Sequence, residues 1–244
     1  MNKLFSSVAL VGLLLGCRGK ESEAPTGFIV FQLSAASPGV VTAGKDTIFL
    51  QRVRMVLAEL AIAPSLANEC EEEEGEDNPP CVEFDEHPVV IDLPLDRPVQ
   101  RRSAQPAPAT SFNLFQAVIH RPTPDADSAL LRANPDFNGS SVLVEGIWSR
   151  GGTRTPFTLA SDFAEQEEIS IEPALSVFRA DSLKLTFRVD VAGWFRGTDG
   201  KALVDPRTMG RGGPNEHLLR DHIRTSMAVF RDQNGDGRDD ATGP

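Results

Sequence analysis

Residues 182–191 read S-L-K-L-T-F-R-V-D-V. Leu183, Leu185, Phe187 and Val189 alternate with Lys184, Thr186, Arg188 and Asp190. Successive side chains of a β-strand point to opposite faces, so the pattern describes a strand with one dry face and one wet face. A helix would set its apolar residues three and four apart, and here they stand two apart. A dry face of this kind needs a second apolar layer against it.

Working outward, Glu168–Phe178 is the expected hairpin partner of this strand, across Arg179-Ala180-Asp181. Ser141–Trp148 and Thr153–Leu159 form a second hairpin across Arg150-Gly151-Gly152, because a double glycine between alternating runs marks a tight turn. Phe28–Leu33, Val89–Leu93 and Ser111–His120 read as further strands, the last two stopped by Pro94 and by Arg121-Pro122. Asp46–Pro64 reads as a strand from the alternation of Val53, Met55 and Leu57. Its Met, Leu, Ala and Glu content makes helix the competing reading. Pro98–Thr110, rich in Pro, Arg, Ala and Ser, reads as a loop, and Asp127–Asn134 as one or two helical turns. Seven or eight short strands with turn residues between them predict a mainly β fold, an antiparallel β-sandwich over residues 27–213.

Residues 214–244 change character. Asn215–Phe230 is the one convincing helical stretch, with Asn215 as candidate N-cap and Glu216 complementing the helix dipole. Leu219, Ile223, Met227 and Phe230 fall at helical spacing on one side, a stripe that packs on a core.

The chain of 244 residues is 40% hydrophobic, enough for a substantial core, and carries a net charge of -11. That acidity argues against nucleic acid as a partner and favours cations or basic partners. Beyond the N-terminus no apolar run approaches the roughly 20 residues of a spanning helix. At the N-terminus, Met1-Asn2-Lys3 is followed by a short apolar run from Leu4 to Leu15 and then Gly16-Cys17. This is the layout of a secretory leader. Its ending, Leu14-Leu15-Gly16-Cys17, resembles the lipobox of bacterial lipoproteins. The resemblance implies that residues 1–16 are removed, that Cys17 carries the lipid, and that residues 17–26 tether the domain to a membrane. An ordinary leader with a chance cysteine is the alternative. Arg18 stands where an Asp would favour inner-membrane retention, which points to the outer membrane.

Two cysteines remain, Cys70 and Cys81, bracketing the acidic run E-E-E-E-G-E-D. In an oxidising compartment such a pair reads as a disulfide closing an acidic loop over residues 67–85. Closing a loop of that size stabilises by about 3 kcal/mol. Metal binding by the two thiols is the alternative, although the loop between them holds no histidine. The run Glu71–Glu74 with Glu76 and Asp77 reads as a solvated charge cluster.

Near its end the chain reads D-Q-N-G-D-G-R-D-D over residues 232–240. Taking Asp232 as position one puts Asn234 at three, Asp236 at five, Gly237 at six, Arg238 at seven and Asp240 at nine. This resembles the calcium loop of the EF-hand family and the related dockerin-type loops. The resemblance implies calcium held by Asp232, Asn234, Asp236, the Arg238 carbonyl and Asp240. The physical need is six to eight oxygens at about 2.4 Å, with glycine permitting the sharp turn. Position twelve departs from the pattern: it is Gly243 rather than a bidentate Glu. A solvated acidic tail is the competing reading.

The chain contains no HExxH, no G-x-S-x-G and no P-loop motif. His217 and His222 stand five apart and do not share a helix face as a metal pair would. The expectation is a lipid-anchored, non-enzymatic envelope protein with a binding or structural role. A carboxylate-based hydrolase or an accessory subunit of an envelope complex are the alternatives. In a bacterium that processes lipoproteins, metabolic labelling with palmitate should mark the wild-type chain and fail to mark Cys17→Ser. An unlabelled wild-type chain would contradict the anchor.

Overall fold

The computed structural model describes residues 27–36, 39–64, 81–85 and 87–242. In chain order the strands are β1 Gly27–Ser34, β2 Val40–Ala43, β3 Asp46–Ala63, β4 Val82–Asp85, β5 Val89–Asp92, β6 Gln100–Ala107 and β7 Ser111–Ile119. A short helix follows, α1 Ser128–Ala133, then β8 Val142–Arg150, β9 Thr153–Ser161, β10 Glu165–Ser176 and β11 Ser182–Val189. The helix α2 Glu216–Arg224 precedes the last strand, β12 Met227–Arg231. The fold is mainly β, as expected, and the strands form two sheets.

The smaller sheet has the order β12-β11-β1-β6. The larger runs β10-β7-β3-β8-β9, with β2, β4 and β5 also pairing along the long strand β3. Pairing is antiparallel throughout except between β1 and β11, which run parallel from Phe28↔Ser182 to Ser34↔Arg188. Apolar side chains of both sheets join in one buried cluster. Its spine is aromatic. Phe31 of β1 stacks on Phe84 of β4 at 4.8 Å between ring centroids and on Phe115 of β7 at 5.9 Å. Phe115 then stacks on Phe187 of β11 at 5.5 Å. The rings therefore cross from sheet to sheet, in the offset stacked arrangement that adds about 0.5–1.5 kcal/mol per pair beyond the burial itself.

The opening stretch is a strand with its dry face as read: Leu183, Leu185, Phe187 and Val189 are all buried. Its neighbours differ from the expectation. Glu168–Phe178 does not pair with it, because β10 lies at the edge of the other sheet against β7. The turn Arg179-Ala180-Asp181 carries the chain across instead, with Ala180 at φ 62°. The Asp181 carbonyl then accepts the Phe28 amide at 3.0 Å and delivers β11 to a parallel partner. Alternation reports which face a residue takes, and the partner strand leaves no mark in it. Pro98–Thr110 likewise contains β6 rather than only loop. An edge strand of polar residues with Pro106 in it lacks the apolar signal, and proline is tolerated at an edge.

The C-terminal helix is also shorter than expected. It ends at Arg224, and Met227 and Phe230 belong to β12. Only Leu219 and Ile223 of the stripe are buried helix residues. Asn215 makes no side-chain cap and instead donates its Nδ2 to Thr208 Oγ1 at 2.9 Å. Polar contacts fasten α2 to the link between β9 and β10. Arg220 reaches Asp162 in that link at 2.5 Å, and Arg224 grips both oxygens of Glu165 at the start of β10. On the outer face of the larger sheet, the buried Arg54 of β3 pairs with Asp136 and lies 5.0 Å over the Phe137 ring. That hydrogen bond holds the Asp136 carboxyl below the usual carboxylate range.

Glu167 of β10 is the exception among these paired charges. Its Oε1 is buried without a hydrogen-bond partner among the described residues. Burial, with Glu165 nearby adding to it and Arg224 opposing, pushes its pKa up to about 7. The folded state then binds a proton that the unfolded state releases between about pH 4.5 and 7, so this group lowers stability as pH rises through that window. Glu167→Gln should raise the unfolding midpoint at pH 8 and leave it nearly unchanged at pH 4. Equal midpoints at pH 8 would contradict the assignment.

Candidate functional site

β12 lies antiparallel to β11, with Phe230 opposite Thr186 and Arg231 opposite Leu185. The Asp232 amide continues the ladder by donating to the Lys184 carbonyl at 3.1 Å. The loop read as position one onward is therefore entered from a strand, not from a helix. That strand sets Asp232 on the outer face of the smaller sheet, the face expected to be wet. Yet Asp232 is fully buried, and so is Thr186 beneath it.

The loop turns its amides inward around the Asp232 carboxylate. Oδ1 accepts from Gly235 N at 2.7 Å and Asp236 N at 3.0 Å. Oδ2 accepts from Gly237 N at 2.9 Å and from the Thr186 hydroxyl at 3.0 Å. A carboxylate offers about four lone-pair positions, and four donors meet them here. The Thr186 oxygen also lies 3.2 Å from Gln32 Oε1. One hydroxyl proton serves one acceptor, and the carboxylate is the stronger of the two.

Two glycines make the inward turn possible. Gly235 and Gly237 sit at φ 74° and 77°, a region that costs other residues about 1–2 kcal/mol. At Gly237 space is also decisive. A Cβ there would lie 2.9 Å from the Pro98 carbonyl oxygen and 3.0 Å from Ser34 Oγ. The loop thus packs directly on the end of β1 and on the segment before β6.

Gln233 adds a contact that loop spacing does not show. Its Oε1 accepts the Lys184 amide at 2.8 Å, and its Nε2 donates to the Ser182 carbonyl at 3.0 Å. The side chain stands in for a peptide group and extends the edge of β11 by one more rung. Lys184 Nζ returns a hydrogen bond to the Gln233 carbonyl at 2.7 Å. Asp240 closes the loop by accepting the Gln233 amide at 2.9 Å.

The remaining residues expected at the site stand near the surface. Asn234 Oδ1 accepts the Asp236 amide at 2.9 Å, and its Nδ2 lies 3.2 Å from Asp236 Oδ2. Asp236 Oδ1 accepts the Arg238 amide at 2.9 Å. Asn234, Asp236 and Arg238 are thus brought onto one turn, with Asp240 on the far side against Gln233. Among the described residues no group of three or more His, Cys, Asp or Glu is placed to hold a metal ion. One cavity of about 500 Å³ flanks the loop, lined in part by Arg97, Arg188, Asp236 and Arg238. A second, of about 520 Å³, lies between the loop and β10, lined in part by Ile171, Leu175, Phe178 and Asp240.

Thr186, Gln32, Gln233 and Lys184 escaped the sequence reading. Thr186 and Lys184 lie on the face that alternation marks as wet, and only the pairing of β12 beside β11 shows what covers them. Of the cysteines, Cys81 is half-buried just before β4, while Cys17, Cys70 and the acidic run 71–77 lie outside the described residues. His120 Nε2 lies 3.0 Å from Asp127 Oδ2. Burial would raise Asp127, but the Thr123 amide and His120 hold it below its ordinary range. Comparison with family models, curated proteins and solved structures finds no match.

Removing the central carboxylate should leave the Gly235 and Gly237 amides unsatisfied, and the Asp236 amide and Thr186 hydroxyl with only Asn234 Oδ1 and Gln32 Oε1 as acceptors. Asp232→Ala is expected to cost about 3–5 kcal/mol, and Thr186→Val about 1 kcal/mol. Gly237→Ala should cost more than the roughly 1–2 kcal/mol of its backbone region, since the Cβ also displaces Pro98. Denaturant unfolding measures all three. An Asp232→Ala loss below about 1 kcal/mol would contradict this arrangement.

Proposed function

We propose that the chain is a lipid-anchored, non-enzymatic protein of a bacterial cell envelope. Its two sheets form a β-sandwich with a binding or structural role, and its C-terminal loop takes up calcium. The supporting observation is the loop itself. It folds as one compact turn around Asp232, with left-handed glycines at positions four and six and with Asn234 and Asp236 side by side on its rim. Because Asp232 is already saturated by its own loop, calcium draws on the outer oxygens of Asn234, Asp236 and Asp240 and on the Arg238 carbonyl. Each carboxylate oxygen with a single hydrogen bond still has a lone pair to give. Affinity in the millimolar range follows, and the ion tightens a loop that already closes without it.

The lipid on Cys17 and a Cys70–Cys81 disulfide belong to the same reading. β3 and β4 pair up to Ile62↔Val82, so a bridge to Cys81 would cross-link the connection between two paired strands. The non-enzymatic reading is supported by how the charges are used. Arg54, Arg207, Arg220 and Arg224 are each committed to carboxylates that fasten one element to another or brace a turn. A carboxylate hydrolase would look to Glu167, with its raised pKa, but the neighbouring Glu165 is clamped by Arg224.

Thermal unfolding of residues 18–244 with calcium, with magnesium and with chelator tests the calcium reading. A dissociation constant of about 1 mM gives roughly 1.4 kcal/mol at 10 mM calcium, a rise of about 3–6 °C. Asp236→Ala should abolish the rise and leave the midpoint in chelator nearly unchanged. No shift at 10 mM calcium would overturn it.

A further inference from the structure

The cavity of about 500 Å³ beside the C-terminal loop lies on the outer face of the smaller sheet. Its floor is made by Ser34 of β1 and Arg188 of β11, which stand opposite each other in the parallel ladder. One wall is the segment from Pro94 to Pro98 before β6, and the other is Asp236, Gly237 and Arg238 of the loop. Floor and walls meet at Gly237, where a Cβ would strike the Pro98 carbonyl oxygen and Ser34 Oγ. The loop that closes around Asp232 therefore shapes this cavity as well.

The charged side chains lining it are Arg97, Arg188 and Arg238, with Asp96 and Asp236. Both carboxylates are already met. Asp96 is held by Arg97 at 3.0 and 3.3 Å. Asp236 Oδ1 accepts the Arg238 amide at 2.9 Å, and its Oδ2 lies 3.2 Å from Asn234 Nδ2. Two of the guanidiniums are not met in the same way. Among the described residues, neither Arg188 nor Arg238 forms an ion pair. Arg188 lies 4.8 Å over the Phe230 ring, a contact that fixes the plane of its guanidinium and leaves the N–H groups at its edge free to donate. Ser34 is only 3% exposed. Its hydroxyl accepts the Ala36 amide at 3.4 Å and donates to no described residue. In a chain with 35 acidic and 24 basic side chains, a cavity with more guanidiniums than carboxylates runs against the overall charge.

We propose that this cavity binds a small molecule through a carboxylate or phosphate group, held by Arg188, Arg238 and the Ser34 hydroxyl. A guanidinium presents paired N–H donors in a planar fork, which matches the oxygens of such groups. Ala36, Pro94 and Leu95 offer the rest of the molecule an apolar surface. The volume is that of a small-molecule site, which runs from about 300 to 1,000 Å³. The proposal rests on the binding role put forward above and gives it a ligand class; it draws on neither the lipid nor calcium.

Residues 18–244 contain every described element. Titration calorimetry of this chain in calcium-free, low-salt Tris buffer, with succinate and with inorganic phosphate as probes, tests the site. One-site binding in the millimolar range is expected, as a few charge-assisted hydrogen bonds supply, and added salt should weaken it. Heat from succinate alone assigns a carboxylate ligand, heat from phosphate alone a phosphate ester, and heat from both the shared chemistry. Arg238→Ala and Arg188→Gln should each weaken binding about tenfold. Arg132→Ala, an exposed arginine on α1 outside the cavity, should leave it unchanged. Circular dichroism should show that the variants keep the β fold. Asp236→Ala, which removes a carboxylate from the cavity wall, should bind the probes at least as tightly as wild type while losing the calcium response. A missing calcium site and a missing anion site therefore give different results. No heat from either probe at 10 mM, on the order of ten times the expected dissociation constant, would overturn the proposal. So would equal weakening by Arg132→Ala, or loss of binding in Asp236→Ala, which would assign the anion to a bound metal rather than to the arginines.

Discussion

A carboxylate with no exposed surface must be met by donors, or burying it costs several kcal/mol. Asp232 is such a group, and the C-terminal part of the molecule is arranged around it. Three amides of its own loop and the Thr186 hydroxyl meet it. To bring those amides inward, the backbone takes left-handed turns at Gly235 and Gly237. To bring the hydroxyl, β12 must lie beside β11 in the register that sets Phe230 opposite Thr186. A shift of one residue would turn Asp232 to the other face.

The constraint extends into the core. β11 carries Thr186 outward and Phe187 inward, and Phe187 ends the aromatic stack that runs through Phe115 and Phe31 to Phe84. One short strand thus has the core on one side and the buried acid on the other. Gln233 reinforces the junction by behaving as an additional peptide group on the edge of β11. Gly237 packs against Ser34 and Pro98, so the loop touches β1 and the chain before β6 as well. The C-terminal segment is in this sense a clasp across the smaller sheet.

Much of the β architecture was legible in the sequence. The alternation over Leu183–Val189 and the glycine hairpin at Gly151-Gly152 both gave the right elements. Three things were not legible, each for a physical reason. Alternation does not name a partner, so it points to a hairpin of β10 and β11 although the two strands lie in different sheets. β6 has no apolar period, since only Ala107 of its residues is buried. The stripe Leu219, Ile223, Met227, Phe230 fits a helix, but the chain leaves the helix after Arg224, and the last two members serve β12. Of the loop, the acidic and glycine positions were legible from their spacing. The role of Asp232 as an acceptor of the protein's own donors was not, because Thr186 is far away in sequence and alternation marks it as solvent-facing.

The clasp closes the domain at its C-terminus through the hydrogen bonds that Asp232 accepts from its own loop. What the reading depends on most is that the clasp forms by hydrogen bonds to Asp232 before any ion arrives. Native-state hydrogen exchange at the amides of Gly235, Asp236 and Gly237, in the presence of chelator, measures this directly. Protection comparable to Val229 and Phe230 of β12 is the expected result. Exchange at the rate of an unstructured chain, with Val229 and Phe230 still protected, would contradict it.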